Sequence, residues 1–504
     1  MGVLDNLKPK EVFKYFEEIC AIPHGSRNLQ QISDYLVDFA KKRGLEYRQD
    51  EALNVIIKKP ASEGCEGAPT VIFQGHMDMV AVKEAACNKD LMTEGLDLEI
   101  EGDFITAKGT SLGGDDGIAV AYALALLDDD SLIHPALEVV ITTNEEIGML
   151  GATALDTSDL KGEILLNADS EDEGIFTVSC AGGATVITEF SGSRQKTSKE
   201  AIALYLHDLT GGHSGAEIHK DRANASYLMG RILMRLEADY DLCLYSIHGG
   251  DKDNAITIEN KAVFVLENGD SNQGIEKIEN LFEDIKEEYA DTDPDMKLDV
   301  RVINVGDNIL GNVDLSDAAS TDEMEVYDGN VLDKETTSAV IAHIIHLPQG
   351  VVKMSHDMAG LVQTSMNLGI IKTCGNTIQL TYSVRSSKES EKIELIELIK
   401  HMASYVGGKS KVEGVYPGWD YKNDNKIERI MVEEYKKIYG EAPRVEGIHA
   451  GLECGIMISK MPDLEAISFG PQMYDIHTFK ERLSISSTER TWNLLVNTLK
   501  AITN

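Results

Sequence analysis

The chain has 504 residues, 42% of them hydrophobic and 26% charged, and carries a formal net charge of −38. That length exceeds one ordinary hydrophobic core, so two or more domains are expected. The charge opposes binding to nucleic acid and to anionic membrane surfaces, for which the electrostatic term would be repulsive. No apolar run approaches a membrane span, and Met1 to Lys10 lacks the apolar core of a signal peptide. Gly2 could open a myristoylation signal, but Asn6 stands where Ser or Thr is needed. Seven cysteines, none in a CxxC pair, read as reduced thiols, and the compartment expected is the cytoplasm.

Pro9 to Arg43 predicts two amphipathic helices around a break at Ile22-Pro23-His24-Gly25-Ser26. Val55 to Lys59 and Val71 to Gln74 predict strands, the second running into Gly75-His76-Met77-Asp78. Alternation along an extended chain turns His76 and Asp78 to one side and Met77 away. Leu112-Gly113-Gly114-Asp115-Asp116-Gly117 is a glycine-rich turn that opens a buried helix over Ile118 to Leu127. Leu137 to Thr143 predicts a strand ending in Asn144-Glu145-Glu146, and Ile164 to Asn167 another, with Asp169 just past it. Ends of strands in open α/β sheets are where sites form.

Beyond Cys180-Ala181-Gly182-Gly183 the pattern changes to alternating strands such as Ala201 to His207 and Ala262 to Leu266, with a long helix over Ala216 to Ala238. Gln363 to Gly369 and Thr377 to Val384 predict an antiparallel pair about a Cys374-Gly375-Asn376 turn. From about Ser387 helix and strand alternate again: helices near Ile393 to Tyr405 and Ile427 to Tyr439, a strand at Leu464 to Phe469, His477, and a last helix from about Thr488. The fold class expected is α/β, with a mixed, mainly parallel sheet formed by residues 1–183 and 388–504 and an α+β domain, residues 184–387, inserted into it.

The polar residues at the strand ends are His76, Asp78, Asp115, Glu145, Glu146, Asp169 and, much later, His477. Two histidines with several carboxylates and no cysteine suit a zinc, cobalt or manganese ion. With two ions roughly 3.5 Å apart, one carboxylate must bridge them. The count closes if Asp115 bridges, His76 and Asp169 complete one ion, and Glu146 and His477 complete the other. Glu145 is then free to act as general base on a metal-activated water, and Asp78 would accept a hydrogen bond from the His76 ring.

Singly, each motif has a plainer explanation: a solvated strand end for His76 and Asp78, an acidic first helical turn for Glu145-Glu146, a turn or cap for Asp115, a loop for His477. Their common position at the ends of apolar strands favours a metal centre. Asp169 to Gly174 begins like a calcium loop, but Cys180 occupies the place of the bidentate glutamate. The turns at Gly113 and Gly182 lack both a Walker lysine and GxGxxG spacing. His343 and His346 share a helix face without a supporting carboxylate pattern.

In combination, Ile22-Pro23-His24-Gly25-Ser26, Gln74-Gly75-His76-Met77-Asp78, Leu112 to Ile118, Thr142 to Gly148, Leu166 to Glu171, Leu209 to Gly215, Asp253-Asn254-Ala255-Ile256, Gly447 to Gly455 and Asp475-Ile476-His477 resemble the two-zinc exopeptidases of the aminoacylase and carnosinase clan. Within it they resemble the aminoacyl-histidine dipeptidases, also called cytosol nonspecific dipeptidases. The resemblance implies a two-zinc exopeptidase-type catalytic domain with Asp78 and Glu145 catalytic, and an inserted lid domain that carries a homodimer interface. It implies two divalent ions per chain, Zn2+ with Co2+ or Mn2+ admissible, and a cis peptide bond at Asp115-Asp116. His213, within Gly211-Gly212-His213-Ser214-Gly215, would stabilise the oxyanion. Asn254 and Arg385 would hold the substrate carboxylate, and Glu453 its free amine. The implied substrates are dipeptides, Xaa-His such as β-alanyl-histidine among them. Thr257 and Ile147 depart from the pattern, which has proline and threonine there in many relatives. Alternatives are a hydrolase of N-acyl or carbamoyl amino acids or of tripeptides, and a silent metal-binding scaffold, against which the retained Glu145 speaks.

Overall fold

The computed structural model describes residues 2–309 and 326–503. The chain forms two compact units, Met1–Cys180 with Gly418–Asn504, and Ala181–Pro417.

In the first unit an eight-stranded sheet runs in the order Glu46–Gln49, Val55–Lys59, Leu137–Thr142, Val71–His76, Ile164–Asn167, Glu465–Ser468, Ile175–Cys180, Arg444–Ile448. The central neighbours, from Leu137–Thr142 to Glu465–Ser468, are parallel. Every residue of Val71–His76, Leu137–Thr142 and Ile164–Asn167 is buried. Strands covered on both faces carry unbroken apolar runs. From Val71–His76 the chain crosses to Leu137–Thr142 on one side and returns to Ile164–Asn167 on the other. The strand order therefore reverses at Val71–His76, the kind of position at which sites form beyond the strand ends of open α/β sheets, and His76 is the last residue of that strand.

The helix Gly114–Asp128 is buried from Gly114 to Leu127. It packs against strand Val71–His76 and helix Lys10–Cys20, as expected of a helix that is apolar all round. Gly75 permits this approach: a Cβ there would stand 2.4 Å from Asp116 Oδ2 and 2.6 Å from the Ala119 Cβ. A small antiparallel sheet, Met473–Tyr474, Arg482–Ser484, Phe104–Ala107 and Leu98–Glu101, lies in the same unit.

The second unit is built on a nine-stranded sheet among the described residues, all of whose pairings are antiparallel. Its core includes Leu228, Ile232, Val340, Ile341 and Ile344 from helices Ala225–Glu237 and Lys334–His346, packed on strand residues such as Phe264 and Leu380. Two expectations are corrected here. The insert extends past residue 387 to Pro417, because helix Glu389–Tyr405 sends Leu395, Ile396, Ile399 and Ala403 into the same core and Lys409–Tyr416 pairs with Gly182–Ser191. The helix expected from Ala216 begins instead at Ala225, where the Asn224 side chain accepts the Tyr227 N–H as a cap; a 3-10 turn, Ile218–Lys220, precedes it.

Gly75→Ala is expected to lower stability by about 1–3 kcal/mol through overpacking of strand against helix. The urea midpoint should fall at unchanged slope; an unmoved midpoint would mean that the helix has room to retreat.

Candidate active site

His76 is the last residue of its strand, and Glu145 and Glu146 follow strand Leu137–Thr142 after Asn144, whose φ is +52°. Asp169 lies two residues beyond Ile164–Asn167. Asp115 sits at the start of helix Gly114–Asp128 behind Gly113, whose left-handed φ of +66° turns the chain. His477, itself at φ +60°, occupies the loop between Met473–Tyr474 and Arg482–Ser484.

The five expected ligands come together. His76 Nε2 is 3.2 Å from Asp115 Oδ1 and 3.5 Å from Asp169 Oδ1. His477 Nε2 is 3.0 Å from Asp115 Oδ2 and 3.0 Å from Glu146 Oε2. Asp115 thus turns one oxygen to each imidazole. Two ligands about 2.1 Å from one tetrahedral ion stand about 3.4 Å apart, so this spacing fits two ions that share Asp115. Asp116 also brings an oxygen near His76 and Asp169. Its Oδ2 accepts the His76 main-chain N–H at 3.1 Å and its Oδ1 is buried without a partner among the described residues, whereas Asp115 has an oxygen near each of the two rings.

Protonation states support the fit. His76 Nδ1 lies 2.9 Å from the main-chain carbonyl of Asp78. A carbonyl only accepts, so Nδ1 carries a proton and Nε2 is the nitrogen that faces the carboxylates. Burial lowers the His76 pKa, but Asp169 and Asp115 raise it well above the ordinary value, so without cations Nε2 is protonated as well and a bound ion would take that proton's place. Glu146 Oε1 is buried without a hydrogen-bond partner among the described residues. Burial, with Asp169, Glu146 and Asp115 close by, pushes Glu145 up to about 8 against the lowering pull of His76. Asp169 is raised to about 7, first by burial. Hydrogen bonds to Asp115 and Glu146 raise His477 to about 10. So many buried carboxyls competing for protons are what a cation site looks like without its cations.

Asp78 departs from expectation. Its carboxylate Oδ1 is 3.7 Å from His76 Nδ1; the ring is held by the Asp78 main chain instead. The carboxylate accepts the Glu145 main-chain N–H at 3.0 Å through Oδ1 and the Ser26 hydroxyl at 2.8 Å through Oδ2. Asp78 therefore orients His76 with its backbone and Glu145 with its side chain. Glu453 is fully buried, and its Oε2 accepts from Gln74 Nε2 at 2.5 Å and Thr142 Oγ1 at 2.6 Å. Its Oε1 is buried without a hydrogen-bond partner among the described residues.

In the second unit, strand Gly212–His213 pairs with Ala255–Ile256, and the Asn254 carbonyl accepts the Ser214 N–H at 2.8 Å. Main-chain N–H groups of Gly215 and Ala216 donate to His213 Nδ1 at 3.2 and 3.1 Å, which leaves the proton on Nε2. Loss of solvation and the Arg385 guanidinium lower the His213 pKa and keep the ring neutral. Arg385 is buried; its Nη1 donates to the Tyr416 hydroxyl at 3.2 Å, and its Nε has no partner among the described residues. The Asp115-Asp116 peptide bond is cis. Sequence reasoning assigned no role to Ser26, Asp116 or Glu481. Ser26 lay in a run already singled out, but nothing in the sequence tied it to Asp78.

Residues 72–501 match the sequence profile of Peptidase family M20/M25/M40. The chain belongs to that family. This M20 peptidase is 32% identical, over its whole length and 99% of the relative's, to a cytosol non-specific dipeptidase of Escherichia coli (strain K12). It superposes with a TM-score of 0.88 on the crystal structure of an aminoacylhistidine dipeptidase from Vibrio alginolyticus, at 33% identity and covering 99% of this chain and 98% of that one. Likeness to aminopeptidase PepT from Bacillus cereus ATCC 10987, TM-score 0.60 at 16% identity over 99% of this chain and 100% of that one, shows a shared fold.

In the M20 peptidase without cations, carboxyls raised in the folded state bind more protons there than in the unfolded chain, so stability falls as pH rises from the ordinary carboxylate range to about 8. His477, also raised, adds to the same loss. Divalent ions displace those protons, so the gain in melting temperature on adding Zn2+ should be larger at pH 8 than at pH 5.5, on the order of several degrees. Thermal unfolding of chelator-treated protein checks this; an apoprotein that grows more stable across that window contradicts it.

Proposed function

We propose that the chain is a metallodipeptidase that hydrolyses dipeptides, Xaa-His such as β-alanyl-histidine included, with two divalent ions per chain. Zn2+ is the first choice and Co2+ or Mn2+ suits the same ligands. The observation that carries this reading is Asp115, with one oxygen towards His76 and the other towards His477. Asp115, His76 and Asp169 would hold one ion, and Asp115, Glu146 and His477 the other. Bound there, the ions would supply Lewis acidity, lowering the pKa of water and polarising a carbonyl. The names of the full-length relatives support the substrate class.

Glu145 accepts the proton of the attacking water and returns it to the leaving amine. Nearby cations would bring its raised pKa down towards the range where both transfers work near neutrality. Asp78 holds the Glu145 main chain, and Ser26 fixes Asp78. His213, with Nε2 protonated, donates to the oxyanion, a contribution of about 2.7–4 kcal/mol for a good donor. Arg385, by its planar fork, and Asn254 take the substrate carboxylate. Glu453 orders Gln74 and Thr142 through Oε2, and its Oε1, without a partner among the described residues, would take the substrate's free amine.

The insert serves as lid and as the surface of a homodimer, a reading supported by exposed Val351, Val352 and Met354 on strand Gly350–Met354. Placement in the cytoplasm is supported by the relative's name.

Glu145→Gln should retain its metal and lose about 10²–10⁴-fold in kcat; full activity would remove Glu145 from the role of base. Metal-loaded protein should cleave dipeptides in preference to tripeptides and to N-acyl or carbamoyl amino acids. A reversed order in that panel would assign the site to the other substrate class, and hydrolysis of nothing would leave a metal-binding scaffold.

A further inference from the structure

Glu481 lies four residues after His477 and is 3% exposed. It sits where a charge is hard to bury, and no Lys or Arg side chain is within ion-pair distance of it among the described residues. Its carboxylate is held by four consecutive main-chain N–H groups. Leu112 and Gly113 donate to Oε2 at 2.9 and 3.1 Å, and Gly114 and Asp115 to Oε1 at 2.8 and 3.3 Å. An ionised carboxylate has about four acceptor sites and no donor, so the match uses its whole capacity.

The first N–H groups of a helix have no intrahelical partner, and here Asp115 and Asp116 have non-helical dihedrals as well. A local side chain ordinarily caps such an end. Here the cap comes from 366 residues away in sequence, from the loop that carries His477. That loop is tight: Asp475 and His477 have φ of +55° and +60°, the Thr478 hydroxyl donates to the Asp475 carbonyl at 2.6 Å, and the Glu481 N–H donates to the Thr478 carbonyl at 3.2 Å. Left-handed φ at non-glycine residues is kept only where surroundings over-determine it. Through Glu481, the turn that sets Asp115 and the loop that sets His477 are fastened to one carboxylate.

We propose that Glu481 is a positioning residue for the metal ion shared by Asp115, Glu146 and His477, holding the Asp115 turn and the His477 loop in register. This rests on the two-ion reading above. Glu481→Gln keeps the size but exchanges one acceptor oxygen for an NH2, which leaves two of the four N–H groups facing a donor. Asp115 and His477 would then lose their fixed spacing, whereas His76 and Asp169, on strand ends that Glu481 does not touch, keep theirs.

Chelator-treated protein titrated with Co2+, followed by equilibrium dialysis and visible absorption, tests this. Wild type should take up two ions. Glu481→Gln should bind the ion of Asp115, Glu146 and His477 about 10–100-fold more weakly and the other, which shares Asp115 but keeps His76 and Asp169 in place, with a clearly smaller loss, while still unfolding in a single thermal transition. If that variant does not fold, Glu481→Asp, which keeps the charge but reaches fewer of the N–H groups, should show the same unequal loss to a smaller degree. Two ions bound as in wild type by the folded variant, or equal weakening of both, overturn the role of Glu481 alone. A wild-type protein that takes up a single ion overturns the two-ion reading and this role with it.

Discussion

Asp115 lies between two imidazoles, one oxygen 3.2 Å from His76 and the other 3.0 Å from His477. Around it stand Glu145, Glu146 and Asp169, and burying so many carboxyls together is unfavourable unless cations or protons compensate. The rest of the first unit is arranged to make that crowding possible. Parallel strands, rigid because both faces are covered, deliver His76, the Glu145-Glu146 pair and Asp169 to one edge of the sheet at its point of reversal. Gly75 lets the Asp115 helix pack close against the strand that ends in His76.

Rigid strands alone would not hold loop residues to the few tenths of an ångström that metal ligation requires. A set of hydrogen bonds behind the proposed ligands does this. Asp78 steadies the His76 ring through its carbonyl and the Glu145 main chain through its carboxylate, with Ser26 behind it. Glu453 gathers Gln74 and Thr142, and Gln74 Oε1 accepts from Asn167 Nδ2 at 2.7 Å, so three neighbouring strands are cross-linked just below the ligands. Glu481 ties the two elements that no shared strand connects.

Much of this was legible in the sequence. His76, Glu146 and Asp169 could be found because fully buried parallel strands leave continuous apolar runs, and a polar residue at or just past the end of such a run stands out; Asp115, in a glycine-rich turn that opens a helix, and His477, in a loop of the small antiparallel sheet, do not end such strands. Chemistry of the ligand set did the rest. What the sequence did not disclose were relations over long separations: that the Asp78 carboxylate turns to Glu145 and not to His76, that Glu453 accepts from Gln74 and Thr142, and that Glu481 reaches back to Leu112. The end of the insert was misplaced for a related reason. Helix Glu389–Tyr405 has the same amphipathic pattern whichever sheet it covers, and only the packing of Leu395 and Ile399 shows which.

The sharing of Asp115 is tested most directly by anomalous diffraction from crystals of the zinc-loaded protein. The account predicts two zinc peaks about 3.5–4 Å apart, with one Asp115 oxygen on each, His76 on the first and His477 on the second. A single peak, or two peaks of which Asp115 touches only one, would contradict it.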